Sequence, residues 1–434
     1  MADSANPGKL AILVGGGPAP GINGVICSVT IEAINQGLEV LGIRDGFSNL
    51  TSETFDASNP NHLMPLTIND VASYYNRGGS LLGTARKNPA KNPDDLARVI
   101  TNLRKLGVTK LVTIGGDDTA YSGSQVYLKA EGAIRVAHVP KTIDNDLPLP
   151  PGIPTFGFET ARHIGVGLAR NLFEDAKTTS RWYLIVSMGR AAGHLALGIG
   201  KASASALSII SEEFRGKPVT LDLICDIVVG AIIKRRAQNK LYGLAILAEG
   251  LIEAIGEKGL IQALGDDLNK FGEVVRDDHG HLRLGEIEFG RMMRYRILQR
   301  LADLGLKVTM IDKDLGYELR CADPIPFDAE YTRNLGYGAV KFLLSKQSAE
   351  FGAIVSFVGG RMDPLRFETM IDPVTQRMRP RLVEVTDENY ECARRYMIRL
   401  DRADFDDAEK LSKLAAVVNM TPEKFRQRFE YVVA

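Results

Sequence analysis

The chain has 434 residues, and its 53 Lys+Arg balance 53 Asp+Glu to a formal net charge of +0. At roughly 150 residues per domain this length predicts two or three domain-sized units, and 45% apolar residues are enough to bury a sizeable core. The balance of charge excludes, in bulk character, a nucleic-acid or anionic-membrane binder, because both need a basic surplus.

In chain order, short apolar runs alternate with longer helical segments. Leu10 to Val14 reads as a buried strand, Gly15 to Pro20 as a loop, and Gly21 to Gln36 as a helix stopped by Gly37. Leu38 to Ile43 is a second strand. Asn92 is set to cap a helix running to Leu106, with Gly107 as its stop. Strands follow at Lys110 to Ile114, Arg135 to Val139, Trp182 to Ser187, Ser208 to Ser211, Gly243 to Leu247 and Ala353 to Phe357. Such alternation predicts parallel sheets covered by helices on both faces. The polar, glycine-spotted stretch from Leu264 to Gly285 reads as a surface insertion, and the segment from about Val383 to Ala434 as a charged, helical cover.

Four cysteines, Cys27, Cys225, Cys321 and Cys392, are far apart and form no metal or redox spacing. They predict a reduced, cytoplasmic protein rather than a disulfide framework or a structural zinc site. The opening MADSANPGKLAILVGGG lacks a basic segment followed by a long apolar stretch, so no signal peptide is expected. Leu221 to Ile233, the most apolar stretch, is broken by Asp222 and Asp226 and ends in Lys234-Arg235-Arg236. It is too short and too charged for a membrane span of about 20 residues.

In parallel sheets ligands bind beyond the carboxyl ends of the strands, and three polar or glycine-rich clusters stand there. Gly15-Gly16-Gly17-Pro18-Ala19-Pro20-Gly21 lies between a strand and a helix. Its bare backbone suits an anion at the helix start, but equally a tight turn. It matches neither the Walker A nor the dinucleotide spacing. Gly115-Gly116-Asp117-Asp118-Thr119 follows another strand; its carboxylates either complement a helix start or hold Mg²⁺ beside substrate phosphates. Pro140-Lys141-Thr142-Ile143-Asp144-Asn145-Asp146 is polar yet stiffened by flanking prolines, as a loop holding a general base would be.

Together the clusters resemble one family, the phosphofructokinases, through a GG-x-(A)PG-x-N loop, a GGD turn and a TIDND loop. The likeness continues through Ser187-Met188-Gly189-Arg190 with Ala192-Gly193-His194, then Ala248-Glu249-Gly250. It ends with Leu315-Gly316-Tyr317-Glu318-Leu319-Arg320, followed by Pro324 and Phe327-Asp328. ATP-using members resemble GGDG and PGTIDND at the second and third motifs. Here Asp118 and Lys141 stand in those places, the pattern of the pyrophosphate-dependent members. An Asp118 side chain fills the space an ADP unit needs and repels its α-phosphate. Lys141 brings a cation to the donor phosphate, where charge gathers on the leaving group. The competing reading makes Asp118 a helix cap paired with Lys141 on the surface.

The resemblance implies an α/β fold of two Rossmann-like, three-layer α/β/α domains, with mostly parallel sheets and the active site in the cleft between them. The expected division is 1–157 plus about 319–382 for the donor domain and 158–318 for the sugar-phosphate domain, with 383–434 as a helical extension. The implied reaction is Mg²⁺-dependent and reversible: a phosphoryl group passes from pyrophosphate to the C1 hydroxyl of fructose 6-phosphate. Asp144 accepts the proton, Asp117 holds the metal, and Gly16, Gly17 and Arg86 bind the donor. Asp118 and Lys141 set donor choice and stabilise the transition state. The acceptor is expected on Thr142, Ile143, Asp144, Arg181, Met188, Gly189, Arg190, Glu249, Tyr317, Glu318, Leu319 and Arg320, with Arg320 gripping the 6-phosphate.

Two departures stand out. ATP-dependent bacterial members resemble LGHxQRGG at the last motif, where this chain has Tyr317 for the His and Cys321-Ala322-Asp323 for the glycines. A phosphate-binding arginine that the family takes from a neighbouring subunit has no clear counterpart, leaving Lys307 or Lys313 for the task. A homodimer, or else a tetramer, is expected. Competing readings are ATP as donor, sedoheptulose 7-phosphate as acceptor, or a non-catalytic sugar-phosphate-binding regulatory subunit. The intact set Asp117, Asp144, Arg190 and Arg320 counts against the last. An NAD-binding dehydrogenase is disfavoured by the missing GxGxxG fingerprint.

Overall fold

The computed structural model describes residues 8–272, 284–375 and 377–433. Its strands are β1 (Lys9–Val14), β2 (Glu39–Ile43), β3 (Leu63–Leu66), β4 (Val108–Gly115), β5 (Arg135–Pro140) and β6 (Trp182–Ser187). They continue with β7 (Leu207–Ile209), β8 (Gly243–Ala248), β9 (Met310–Leu315), β10 (Ala353–Val358) and β11 (Arg361–Arg366). The chain divides into two compact α/β units. One comprises residues up to Arg162 with Tyr317–Arg381, the other His163–Gly316 with residues from Leu382 onward.

The first unit holds a seven-stranded sheet in the order β11-β10-β5-β4-β1-β2-β3. Its five central strands run parallel, and β3 and β11 pair antiparallel at the two edges. Alternate residues of β1 enter opposite cores: Leu10, Ile12 and Val14 on one face, Ala11 and Leu13 on the other. Helices cover both faces, which is why these strands are apolar throughout rather than alternating. From β1 the chain builds outward through β2 on one side, and from β4 through β5 on the other. The carboxyl ends of β1 and β4 therefore flank a topological switch point, where loops splay apart and leave room for a ligand.

The second unit holds a parallel four-stranded sheet in the order β7-β8-β6-β9. Its core runs from the helix Leu221–Ala237 to the tail, where Leu400, Phe405, Leu414, Phe425 and Phe429 are buried. The buried Asp226 explains the break in that apolar helix. Its carboxylate accepts from Arg300 at 2.7 Å, from Arg428 at 2.5 Å and from the Tyr431 hydroxyl, tying the tail to the helix. Among the described residues no helix is long and apolar enough to cross a membrane. All four cysteines are free.

Three strands escaped the sequence reading, and each is a sheet edge. β3 and β11 each contain a proline (Pro65, Pro364), and β9 carries Asp312, Lys313 and Asp314. Edge strands tolerate proline and charge because one side needs no ladder partner. The strand expected at Ser208 to Ser211 is instead Leu207–Ile209, since Ser211 already opens a 3₁₀ turn to Phe214. The helix expected from Asn92 runs Pro93–Lys105, with the Asn92 side chain accepting from the Asp94 N–H at 2.9 Å. Half of the expected insertion near 264–285, residues 273–283, lies outside the described residues.

Candidate active site

In the first unit three loops leave the adjacent strands β1, β4 and β5. The Gly15 N–H donates to the Ile114 carbonyl at 2.8 Å and the Gly16 N–H to the Ala85 carbonyl at 2.9 Å. Thr84 returns a bond from its hydroxyl to the Gly16 carbonyl at 2.7 Å. The turn carrying Arg86 is thereby tied to the glycine loop. Gly16 has φ +82°, and a Cβ there would stand 3.3 Å from the Lys141 ammonium. A Cβ at Gly17 would stand 3.3 Å from the Arg320 guanidinium carbon. The glycines thus let two cations lie against the backbone where an anionic donor would sit.

Lys141 is 3% exposed, and its ammonium donates to the Gly17 carbonyl. Burial, with Arg320 and Arg86 nearby, lowers its pKa to about 8, while Asp144 and Asp146 oppose that fall. Asp118 stands exposed near the start of the helix Asp117–Lys129, whose N-cap is Gly116 and has no side-chain cap. Its carboxylate accepts from Asn88 Nδ2 at 3.0 Å, and Asn88 in turn accepts from the Ser122 hydroxyl and the Ala90 N–H. The reading of Asp118 and Lys141 as a cap and a surface pair is therefore corrected. Lys141 is buried against the glycine loop, and Asp118 is held by Asn88.

The loop after β5 is braced from within. Thr142 Oγ1 accepts from the Asp144 N–H at 3.0 Å and its hydroxyl serves the Asp146 carboxylate, so its side chain works inside the loop. Ile143 is buried, as is Leu319, so neither side chain is offered to a ligand. Asp146 is pushed up to about 6, first by burial and then by the Asp117 charge. Two carboxylates that repel each other at a strand end suit a divalent cation. Among the described residues no group of three or more His, Cys, Asp or Glu side chains gathers to hold a metal. Such a pair is enough for a hard divalent cation that completes its shell with phosphate oxygens and water. Beneath the loops, the buried His138 joins Thr113 Oγ1 (2.9 Å) to the Gly115 carbonyl (3.0 Å), and burial lowers its pKa to about 3.

Arg320 closes this set from the short helix Tyr317–Arg320, its guanidinium 4.8 Å from the centre of the exposed Tyr317 ring. Glu318 is exposed on the same turn. Sequence reasoning missed three supporting residues. Asn88 is one; Asn23 is another, its side chain bonding Arg77, Gly78 and Leu81 of the loop that precedes the Arg86 turn. The third is Arg381, which donates to the Asn145 and Ile153 carbonyls at 3.1 and 2.6 Å. Only Asn23 carried a signal, as the last position of the glycine motif.

In the second unit the loops after β6 and β8 meet. The Glu249 N–H donates to the Ser187 carbonyl at 2.9 Å, and the Glu249 carboxylate accepts from the Gly189 N–H at 3.1 Å. Gly189 has φ +128°, and a Cβ on Gly250 would strike the Arg190 carbonyl at 2.5 Å. Met188 packs on Gly316, and Arg190 points into solvent. The arrangement suits sugar hydroxyls at Glu249 and a phosphate at Arg190. Arg181 does not join them. It precedes β6, at the amino end of a six-residue strand, about 20 Å from the loop at the other end. Lys307 and Lys313 are both exposed.

A family model described as "Phosphofructokinase" matches residues 9–343. The chain is 50% identical over 421 residues to a pyrophosphate–fructose 6-phosphate 1-phosphotransferase of Thermotoga maritima, covering 97% of this chain and 98% of that one. It is 48% identical to a protein of the same name from Naegleria fowleri, covering 99% and 96%. Phosphofructokinase from Saccharomyces cerevisiae shares the fold, with a TM-score of 0.63 at 18% identity. That match covers 97% of this chain and spans half the length of the yeast chain. With the switch-point loops, the buried lysine and the Glu249 turn in place, the chain belongs to the phosphofructokinase family.

Proposed function

We propose that this chain transfers a phosphoryl group reversibly from pyrophosphate to the C1 hydroxyl of fructose 6-phosphate, giving fructose 1,6-bisphosphate and phosphate. One observation carries the donor assignment: a buried ammonium rests on the glycine loop while a carboxylate, fixed by Asn88, guards the neighbouring helix start. A polyanion the size of pyrophosphate satisfies Lys141 and Arg86. An adenylyl group would have to displace Asp118. The names borne by the two close relatives support the same reaction.

Phosphoryl transfer asks a protein mainly to position groups and offset charge. Asp144 takes the C1 hydroxyl proton as the oxygen attacks. Lys141, with Arg86, stabilises the charge that collects on the departing phosphate. Glu249 accepts from sugar hydroxyls, while Arg190 and Arg320 hold the 6-phosphate, with Met188, Gly189 and Tyr317 shaping the site. Asp117 and Asp146 would hold Mg²⁺, which when bound neutralises the pyrophosphate oxygens.

Arg181 is out of reach of its own chain's Met188–Arg190 loop, so in this reading it serves a neighbouring copy. A homodimer, or a tetramer as the larger alternative, would supply that copy. Free cysteines and the absence of an apolar spanning helix among the described residues agree with a cytoplasmic location.

The reverse direction tests the reaction. Purified protein with fructose 1,6-bisphosphate, phosphate and Mg²⁺ should release fructose 6-phosphate and pyrophosphate, followed by ³¹P resonance. Failure to form pyrophosphate contradicts the proposal.

A further inference from the structure

We propose that Arg381, which lies outside every motif above, is a positioning residue for the proton-accepting loop: its guanidinium fork holds Asn145 in the turn that presents Asp144. The inference rests on the phosphoryl-transfer reading and adds a residue to that site.

Asn145 separates the two carboxylates of the loop and has φ +57°, a left-handed conformation that asparagine adopts more readily than other side-chain-bearing residues. Its side chain and carbonyl are both held from outside the loop. Arg381 Nε donates to the Asn145 carbonyl at 3.1 Å, one terminal nitrogen to the Ile153 carbonyl at 2.6 Å, and the other to Asn145 Oδ1. The main-chain N–H of Arg381 adds a bond to the Asp146 carbonyl at 2.7 Å. Thr155 completes the brace, its N–H reaching Asn145 Oδ1 at 3.0 Å and its hydroxyl the Thr142 carbonyl at 2.8 Å. The carbonyls on both sides of Asp144 are therefore fixed.

A planar fork with several donors in fixed directions can do this, whereas a single ammonium cannot reach three acceptors in those directions. Burial lowers the Arg381 pKa, opposed by the facing Asp146 and Tyr331, so the guanidinium also places a positive charge behind the acidic loop. Its substrate-free partners distinguish it from Arg190 and Arg320. Arg381 acts on Asp144 through the main chain, and its loss should appear in turnover rather than in binding.

The test is steady-state kinetics of Arg381→Ala and Arg381→Lys with pyrophosphate, fructose 6-phosphate and Mg²⁺, on variants whose folding is checked by circular dichroism. The Ala variant should lose about 100-fold in kcat, the scale of a misplaced reacting group, with both KM values within about threefold. Millimolar guanidinium ion, against a sodium chloride control, should recover about tenfold of that loss and leave the parent enzyme unchanged. The Lys variant should show the same pattern in smaller degree. Wild-type kcat in the Ala variant, KM rising in step with the fall in kcat, or a folded variant deaf to guanidinium each overturns the proposal. Should the Ala variant fail to fold, the Lys variant decides: lowered kcat at constant KM supports the clamp, and full kcat refutes it. Parent enzyme assayed alongside separates the two ideas, because failure of its own pyrophosphate turnover sinks the functional reading rather than the role of Arg381.

Discussion

The two units shape their binding loops by different means. In the first, charge is drawn beneath the backbone: Lys141 is buried against Gly17, with Arg320 beside the same glycine. In the second, main-chain geometry does the shaping, through left-handed Gly189 and the bare Gly250, while Arg190 stays in solvent. A buried ammonium is costly until an anion reaches it. On the proposed reading the first unit takes a compact polyanion and the second a sugar phosphate. Damage to the Lys141 loop should appear chiefly in turnover, damage to the Glu249 turn chiefly in affinity.

The largest effect is expected from Asp144→Ser, which removes the proton acceptor. The kcat should fall about 10³-fold, within the range general bases contribute, while calorimetry still detects fructose 6-phosphate binding. Turnover near the parent value would remove Asp144 from the mechanism. Next comes Asp118→Gly combined with Lys141→Gly, for which kcat/KM with pyrophosphate should drop about 10²-fold as the preorganised cation is lost. Unaltered pyrophosphate kinetics would make both residues bystanders.

In the second unit Glu249→Gln should raise KM for fructose 6-phosphate about tenfold and leave kcat within about threefold, as expected for uniform binding. A loss confined to kcat would erase the contrast between the units. The smallest effect is set by pH. Lys141 is cationic below its lowered pKa of about 8 and neutral above it. The kcat/KM for pyrophosphate, which reports the free enzyme, should therefore decline as pH rises through about 8. Lys141→Arg should move that decline upward; an unmoved profile would assign it to another group.

Much of this was legible in the sequence because central parallel strands and the loops after them carry strong signals. The runs at Leu10, Lys110 and Trp182 are apolar on both faces, and glycine or carboxylate residues follow each carboxyl end. The edges were not legible, since proline in β3 and β11 and charge in β9 imitate loops. Asp226 looked like an interruption of an apolar helix, yet its partners Arg300, Arg428 and Tyr431 lie about 70 to 200 residues away. Arg381 was hidden for the same reason, because its acceptors at Asn145 and Ile153 are set by tertiary structure and leave no local pattern. Arg181 shows the opposite failure. It lies close to Met188 in sequence but at the other end of β6, since a strand carries its two ends apart.

The donor choice is tested most directly by initial rates of the unmodified protein with fructose 6-phosphate and Mg²⁺, taking pyrophosphate and ATP in turn at equal concentration. Turnover with pyrophosphate and little or none with ATP is the expected result. A rate with ATP that equals or exceeds that with pyrophosphate would contradict the roles given to Asp118 and Lys141.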